Sequence, residues 1–161
     1  MNDNKKFTTL QLFTLVALRF LIGWHLLYEG ISKLINAGWS SAGFLGESKW
    51  ILSGISHWII SNSSVLHVVD LLNTWGLIAI GLGLIFGLFT RLAAISGAIL
   101  LLVYYMINPP LIGLEYSVPV EGSYLIVSKT LIEAVALFAL TLFPTSSIFG
   151  LDAFVTRFKI R

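Results

Sequence analysis

Cysteine is absent from this chain. Its absence excludes disulfides, thiolate metal sites, cysteine-ligated iron–sulfur clusters and cysteine-linked sulfur intermediates. Any redox chemistry must therefore run through a bound cofactor, a substrate or a partner. Charge is scarce too: Asp, Glu, Lys and Arg make up 11% of the 161 residues, against about 25% in soluble domains. The other side of that deficit is 57% hydrophobic residues and a mean hydropathy of +0.89, the balance of a membrane protein. The net charge of +2 is spread without a continuous basic stripe, which argues against a nucleic-acid partner.

What is present is four long apolar runs. A helix needs about 20 apolar residues to cross a bilayer, and four such helices with their loops use up residues 1–161 as a single domain. The spans are expected at 8–36, 70–89, 91–108 and 124–143. Thr8 or Thr9 can cap the first, Pro109 and Pro110 stop the third, and Pro144 stops the fourth. Lys5 and Lys6 precede the first run like the start of a signal peptide. The run continues from Phe7 to Ile35, longer than a signal core, and no small-residue cleavage site follows, so it reads as a retained anchor. The fold class is all-α, an integral membrane four-helix bundle in contact with lipid.

Between the first two spans, residues 39–69 are too polar to cross. Within about 47–61, Trp50, Ile51, Gly54, Ile55, Trp58 and Ile59 fall on one side of a helical wheel, and Ser53, Ser56, His57 and Ser61 largely on the other. That pattern predicts a short amphipathic helix lying in the interface or folded over the bundle as a lid. Gly76, Gly81, Gly83 and Gly87 line the second span, and small residues allow close helix approach, here against the chain's own bundle more than against a second copy. The basic residues Lys5, Lys6, Arg91, Arg157, Lys159 and Arg161 fall at the termini and in the turn after span two, whereas the loop carrying Glu115 and Glu121 has none. The positive-inside rule then places both termini in the cytoplasm and both long loops outside, in a bacterial inner membrane.

Charges inside two of the spans are the strongest pointer to function. His25, Glu29 and Lys33 are successive i, i+4 neighbours, and with Arg19 they share an arc of about 120° at 100° per residue. Lys129 and Glu133 repeat the spacing on span four. Lipid does not accept such an arc, so it faces the bundle interior. A polar nest below the outward loops is expected, with Glu29 and Glu133 as proton-handling catalytic residues and His25, Lys33, Lys129 and Arg19 as substrate-binding residues. Ion pairs that merely fix helix register are the competing explanation. Two ligands at i, i+4, His25 and Glu29, are too few to argue for a metal site. Tyr104 and Tyr105 fit a headgroup belt, or the flanks of a quinone ring.

Four stretches resemble the DoxX/DoxD family of small membrane proteins: Leu18 to Leu34, Trp39 to Leu45, Leu71 to Ala94, and Tyr124 to Phe154. The arginine after span two, the Lys129-to-Glu133 spacing and the closing Gly150-Leu151-Asp152 are the most specific parts. The closer likeness is to the DoxD type, the membrane subunit of thiosulfate:quinone oxidoreductase. The resemblance implies a four-helix bundle that passes electrons from thiosulfate, or a related small reductant, to membrane quinone as acceptor, working with a second redox subunit. A non-catalytic scaffold of a redox complex, docked through Trp50 and Trp58, is the alternative. A small-solute carrier comes third and would have to be a homo-oligomer.

Overall fold

A computed structural model of the chain describes residues 7–114, 116 and 117, 123–143 and 145–153. Lys5, Lys6, Glu115, Glu121, Pro144, Arg157, Lys159 and Arg161, used above for span limits and orientation, lie outside the described residues. Eight elements follow in order: α1 (Thr9–Ile35), α2 (Ala42–Gly46), α3 (Ser53–Ser61), α4 (Ser63–Phe86), α5 (Thr90–Ile107), β1 (Ser123–Tyr124), β2 (Val127–Ser128) and α6 (Lys129–Leu142). The protein is an all-α membrane protein. Among the described residues the one sheet is a two-residue antiparallel hairpin, β1 against β2, ahead of α6.

Helix α1 begins at a capping box: the Thr8 hydroxyl accepts from the Gln11 N–H while the Gln11 side chain accepts from the Thr8 N–H. Among the described residues three helices, α1, α4 and α5, are long and apolar enough to cross a membrane. Helix α6 is not: its 14 residues reach about 21 Å, against a hydrocarbon core of about 30 Å. The expected fourth span at 124–143 is thus corrected to a hairpin followed by a short helix. Leu125 adopts a left-handed φ of 58°, and Ser128 caps the helix by accepting from the Leu131 N–H. Helix α4 starts seven residues before the expected position 70, because hydropathy marks where a chain is apolar and not where its helix begins. Of the helix expected at 47–61 only Ser53–Ser61 forms, as α3; α2 lies before that stretch, and Asn62 separates α3 from α4 in an extended conformation.

The core runs along the bundle axis through Leu26, Leu77, Leu84 and Leu137, each at most 1% exposed. The outer faces stay apolar: Phe13, Leu72, Leu92 and Phe138 are all exposed, as suits helices solvated by lipid. Helices α1 and α4 cross at small residues. A Cβ on Gly81 would lie 2.6 Å from the Leu27 nitrogen and 2.7 Å from the Gly23 carbonyl, so the two backbones touch only because Gly81 has none. The expected seating of α4 against its own bundle holds at Gly81 and at Gly83, which packs on Ala93, while Gly76 faces open space.

The segment after α6 folds back over the α4–α5 turn. Leu151 and Asp152 donate their N–H groups to the carbonyls of Phe86 and Gly87. Gly150 packs on Gly87, which itself turns α4 at φ 66°. The Asp152 carboxylate accepts from the N–H groups of Phe89 at 2.7 Å and Thr90 at 3.1 Å, capping α5 from a distance. Burial opposes its charge, but hydrogen bonds from Ser146, Thr90 and Phe89 outweigh that and hold the carboxyl below its ordinary 3.8. A depressed folded value means stability that is present above 3.8 and lost as pH falls through the folded value. Replacing Asp152 by Asn should cost about 1 kcal/mol near neutral pH. The gap in Tm between wild type and variant in detergent should close on acidification, and a gap that persists in acid would remove this assignment.

Candidate functional site

A cavity of about 590 Å³ opens between α1, α4, α5 and α6 beneath α2. Each wall has a local cause. His25 and Glu29 come from one face of α1, Lys129 and Glu133 from the first turns of α6, and Tyr104, Tyr105 and Asn108 from the last turn of α5 and its cap. Helix α2 roofs it with Gly43, Phe44 and Glu47. That roof is pinned at three places. The Asn108 amide donates to the Phe44 carbonyl at 3.0 Å, the Ser48 hydroxyl to the Ile107 carbonyl at 3.2 Å, and the Ser41 N–H to Asp70 at 2.8 Å. The lid expected around Trp50 and Trp58 is therefore supplied by α2, while Ile51, Ile55 and Trp58 point away from the bundle, each more than half exposed.

His25 is the centre of the polar group. Its Nδ1 lies 3.0 Å from both oxygens of Glu133, and its Nε2 lies 3.0 Å from Lys129 Nζ. A lysine ammonium has only donors, so Nε2 accepts from Lys129 and the neutral ring donates its Nδ1 proton to Glu133. The result is a three-residue line from the exposed Lys129, through the half-buried imidazole, to a carboxylate whose side chain is 17% exposed. A shift of protons along it moves one charge from the surface to the cavity while His25 stays neutral. The i, i+4 reasoning brings together His25, Glu29, Lys129 and Glu133 as expected.

Two expected members are elsewhere. Lys33 pairs with Glu29 at 3.5 Å and lies over the rings of Trp39 at 5.2 Å and Tyr104 at 5.8 Å, behind the cavity wall. Arg19 sits about 9 Å further along α1 from His25 and about 120° around it. Its guanidinium donates to the Phe149 carbonyl at 2.8 Å and the Thr145 hydroxyl at 3.4 Å. A third of a turn is enough to present these residues to different neighbours, α6 for His25 and the segment after α6 for Arg19.

Glu47 and Tyr116 were not singled out in the sequence. Glu47 accepts from the Ser117 N–H at 3.2 Å, and hydrogen bonding from Ser117 holds its carboxyl below the ordinary value. Burial, with the Glu47 charge beside it, pushes the Tyr116 phenol up, so it remains a donor, to the Pro109 carbonyl at 2.7 Å. The Tyr104 hydroxyl accepts from the Asn73 amide at 2.6 Å. The lining carries three carboxylates, Glu29, Glu47 and Glu133, and the ammonium of Lys129, with Lys33 paired to Glu29 from behind the wall. A neutral ligand with an apolar ring meets Phe44, Tyr104 and Tyr105 there and finds polar groups at its edge.

Together these features define a multi-pass helical membrane protein with a polar cavity between its helices. The DoxX family model matches residues 14–108, more than half of the chain, and the chain belongs to the DoxX family. The match takes in α1 to α5, with His25 and Glu29, and ends before α6 with Lys129 and Glu133. No curated protein and no solved structure matches the chain.

Proposed function

We propose that the protein is the membrane subunit of a quinone-linked oxidoreductase and that the cavity beneath α2 takes the quinone ring. The observation that carries this reading is the Lys129–His25–Glu133 line, which ends at a cavity whose volume falls in the ordinary range for small ligands. Reduction of a quinone to its quinol takes two electrons and two protons. His25 and Glu133 hold and pass protons at the cavity wall, and Lys129 connects them to the surface. The electrons come from a small reductant. For thiosulfate, two dianions give two electrons as one S–S bond forms between them in tetrathionate. Phe44, Tyr104 and Tyr105 suit the ring in the cavity, and the dianion is assigned to a second subunit. The loops on this side then face the outside of a bacterial inner membrane.

The test is reduction of a soluble quinone by thiosulfate in nanodiscs, wild type beside Gly43→Trp. Gly43 lines the cavity and a Cβ there meets nothing within 4 Å, so the indole should fold safely and obstruct the mouth. Turnover should fall about tenfold or more, the scale of one lost binding subsite, with Tm unchanged. No quinone reduction by the folded wild type, alone or with its co-purified partner, would sink the reading. That result would favour the scaffold alternative, for which the outward apolar surface of Ile51 with Ile55 and Trp58 of α3 is the specific support.

A further inference from the structure

Arg19 is 3% exposed; the Asp152 carboxylate attracts it from a distance, but among the described residues no carboxylate lies within ion-pair distance of it. A guanidinium has five N–H donors. Thr145 and Phe149 take two of them, and the buried Nε has no partner. A buried cation left with unused donors is costly unless something else completes its shell.

Beside it is a cavity of about 490 Å³. Among the described residues Arg19 is the only charged one lining it, and its walls are apolar, with Ile85 and Phe86 from α4 and Ile148, Phe149 and Leu151 from the segment after α6. Gly87 lets the end of α4 approach the guanidinium closely, since a Cβ there would lie 3.2 Å from both terminal nitrogens. Depth adds the second half of the argument. Arg19 is 16 residues from the end of α1 at Ile35, about 24 Å along the axis. With a hydrocarbon core of about 30 Å, it lies a side-chain length short of the far interface, at the level of the α4–α5 turn.

We infer that this cavity seats the phosphate of a membrane phospholipid: the phosphoryl oxygens complete the Arg19 donors, and an acyl chain runs along Ile85, Phe86 and Ile148. The site is independent of the quinone reading, being at the opposite end of the bundle. A guanidinium fork suits phosphate, and an apolar trough suits a chain; together they select an amphiphile over a soluble anion.

The experiment is native mass spectrometry of delipidated protein offered phosphatidylglycerol, diacylglycerol with the same chains, or inorganic phosphate. Wild type should retain one phosphatidylglycerol and no diacylglycerol, and excess phosphate should not displace the lipid. Arg19→Gln should lower occupancy about tenfold, the order expected for one charge-assisted contact. Because Arg19 also ties down the segment after α6, Ile148→Trp provides a second variant, which fills the trough and leaves the guanidinium in place. Equal retention of diacylglycerol would overturn the proposal, as would full lipid occupancy in folded Ile148→Trp. Displacement by inorganic phosphate would assign the seat to a soluble phosphoryl compound and overturn the lipid assignment.

Discussion

Glu133→Gln should lower quinone reduction by about 100-fold or more, within the range that a positioned proton-transfer group contributes, and should leave the fold intact. The side chain keeps its shape, and the amide oxygen still accepts from His25 Nδ1, now 3.0 Å from both carboxylate oxygens. What disappears is the group that ends the line from Lys129, so a proton passed through His25 has nowhere to rest. The loss should fall on kcat more than on KM, since Glu133 is one of many residues lining the cavity. Two controls separate chemistry from packing. Lys33→Met should retain most of the turnover, because Lys33 lies behind the wall with Glu29, Trp39 and Tyr104. The Tm of Glu133→Gln should stay near that of wild type. Full turnover in folded Glu133→Gln would remove the residue from the reaction.

The second large effect is on stability. Gly81→Val puts a branched side chain where a single Cβ already lies 2.6 Å from the Leu27 nitrogen. Backbone cannot rotate aside as a side chain can, so α1 and α4 must separate along their whole seam. The cost should reach the upper end of the roughly 1–3 kcal/mol seen for overpacking, about 6–12 °C in Tm for a chain of this size. Gly76→Val, on the same helix with nothing within 4 Å of its Cβ, is the matched control and should melt with wild type. Equal thermal stability of the two variants in detergent would show that the seam is not held by close backbone contact.

The contrast between these positions shows what the sequence could and could not reveal. His25, Glu29, Lys129 and Glu133 were legible because lipid leaves an intramembrane charge few places to go, and i, i+4 spacing fixes which charges share a face. Arg19 and Lys33 satisfied the same wheel and went elsewhere, since a wheel records angle but neither depth nor which neighbour is met. Glu47 and Tyr116 gave no signal: they stand on loops, and their places follow from how α2 is pinned to Ile107, Asn108 and Asp70. The closing Gly150-Leu151-Asp152 stood out as a pattern but not as a role. The role exists only once Gly150 meets Gly87 and Asp152 reaches the start of α5, more than 60 residues earlier in the chain. Membrane class was readable because burying apolar length is a property of composition. The ends of α4 and α6 were not, because helices outlast or fall short of their apolar runs.

The shortness of α6 also bears on the lipid around the protein. Its 14 residues stand beside the 27 of α1, so the molecule presents a tall side and a low one. Where a hydrophobic span is too short, the bilayer thins to meet it. The exposed Leu125, Ile126 and Val127 of the hairpin extend the apolar surface at the low side and soften the step. A bilayer that thinned to meet α6 would dimple on the flank that carries Lys129 and Glu133. On the proposed reading, water and headgroups drawn there would shorten the proton path from the surface to His25.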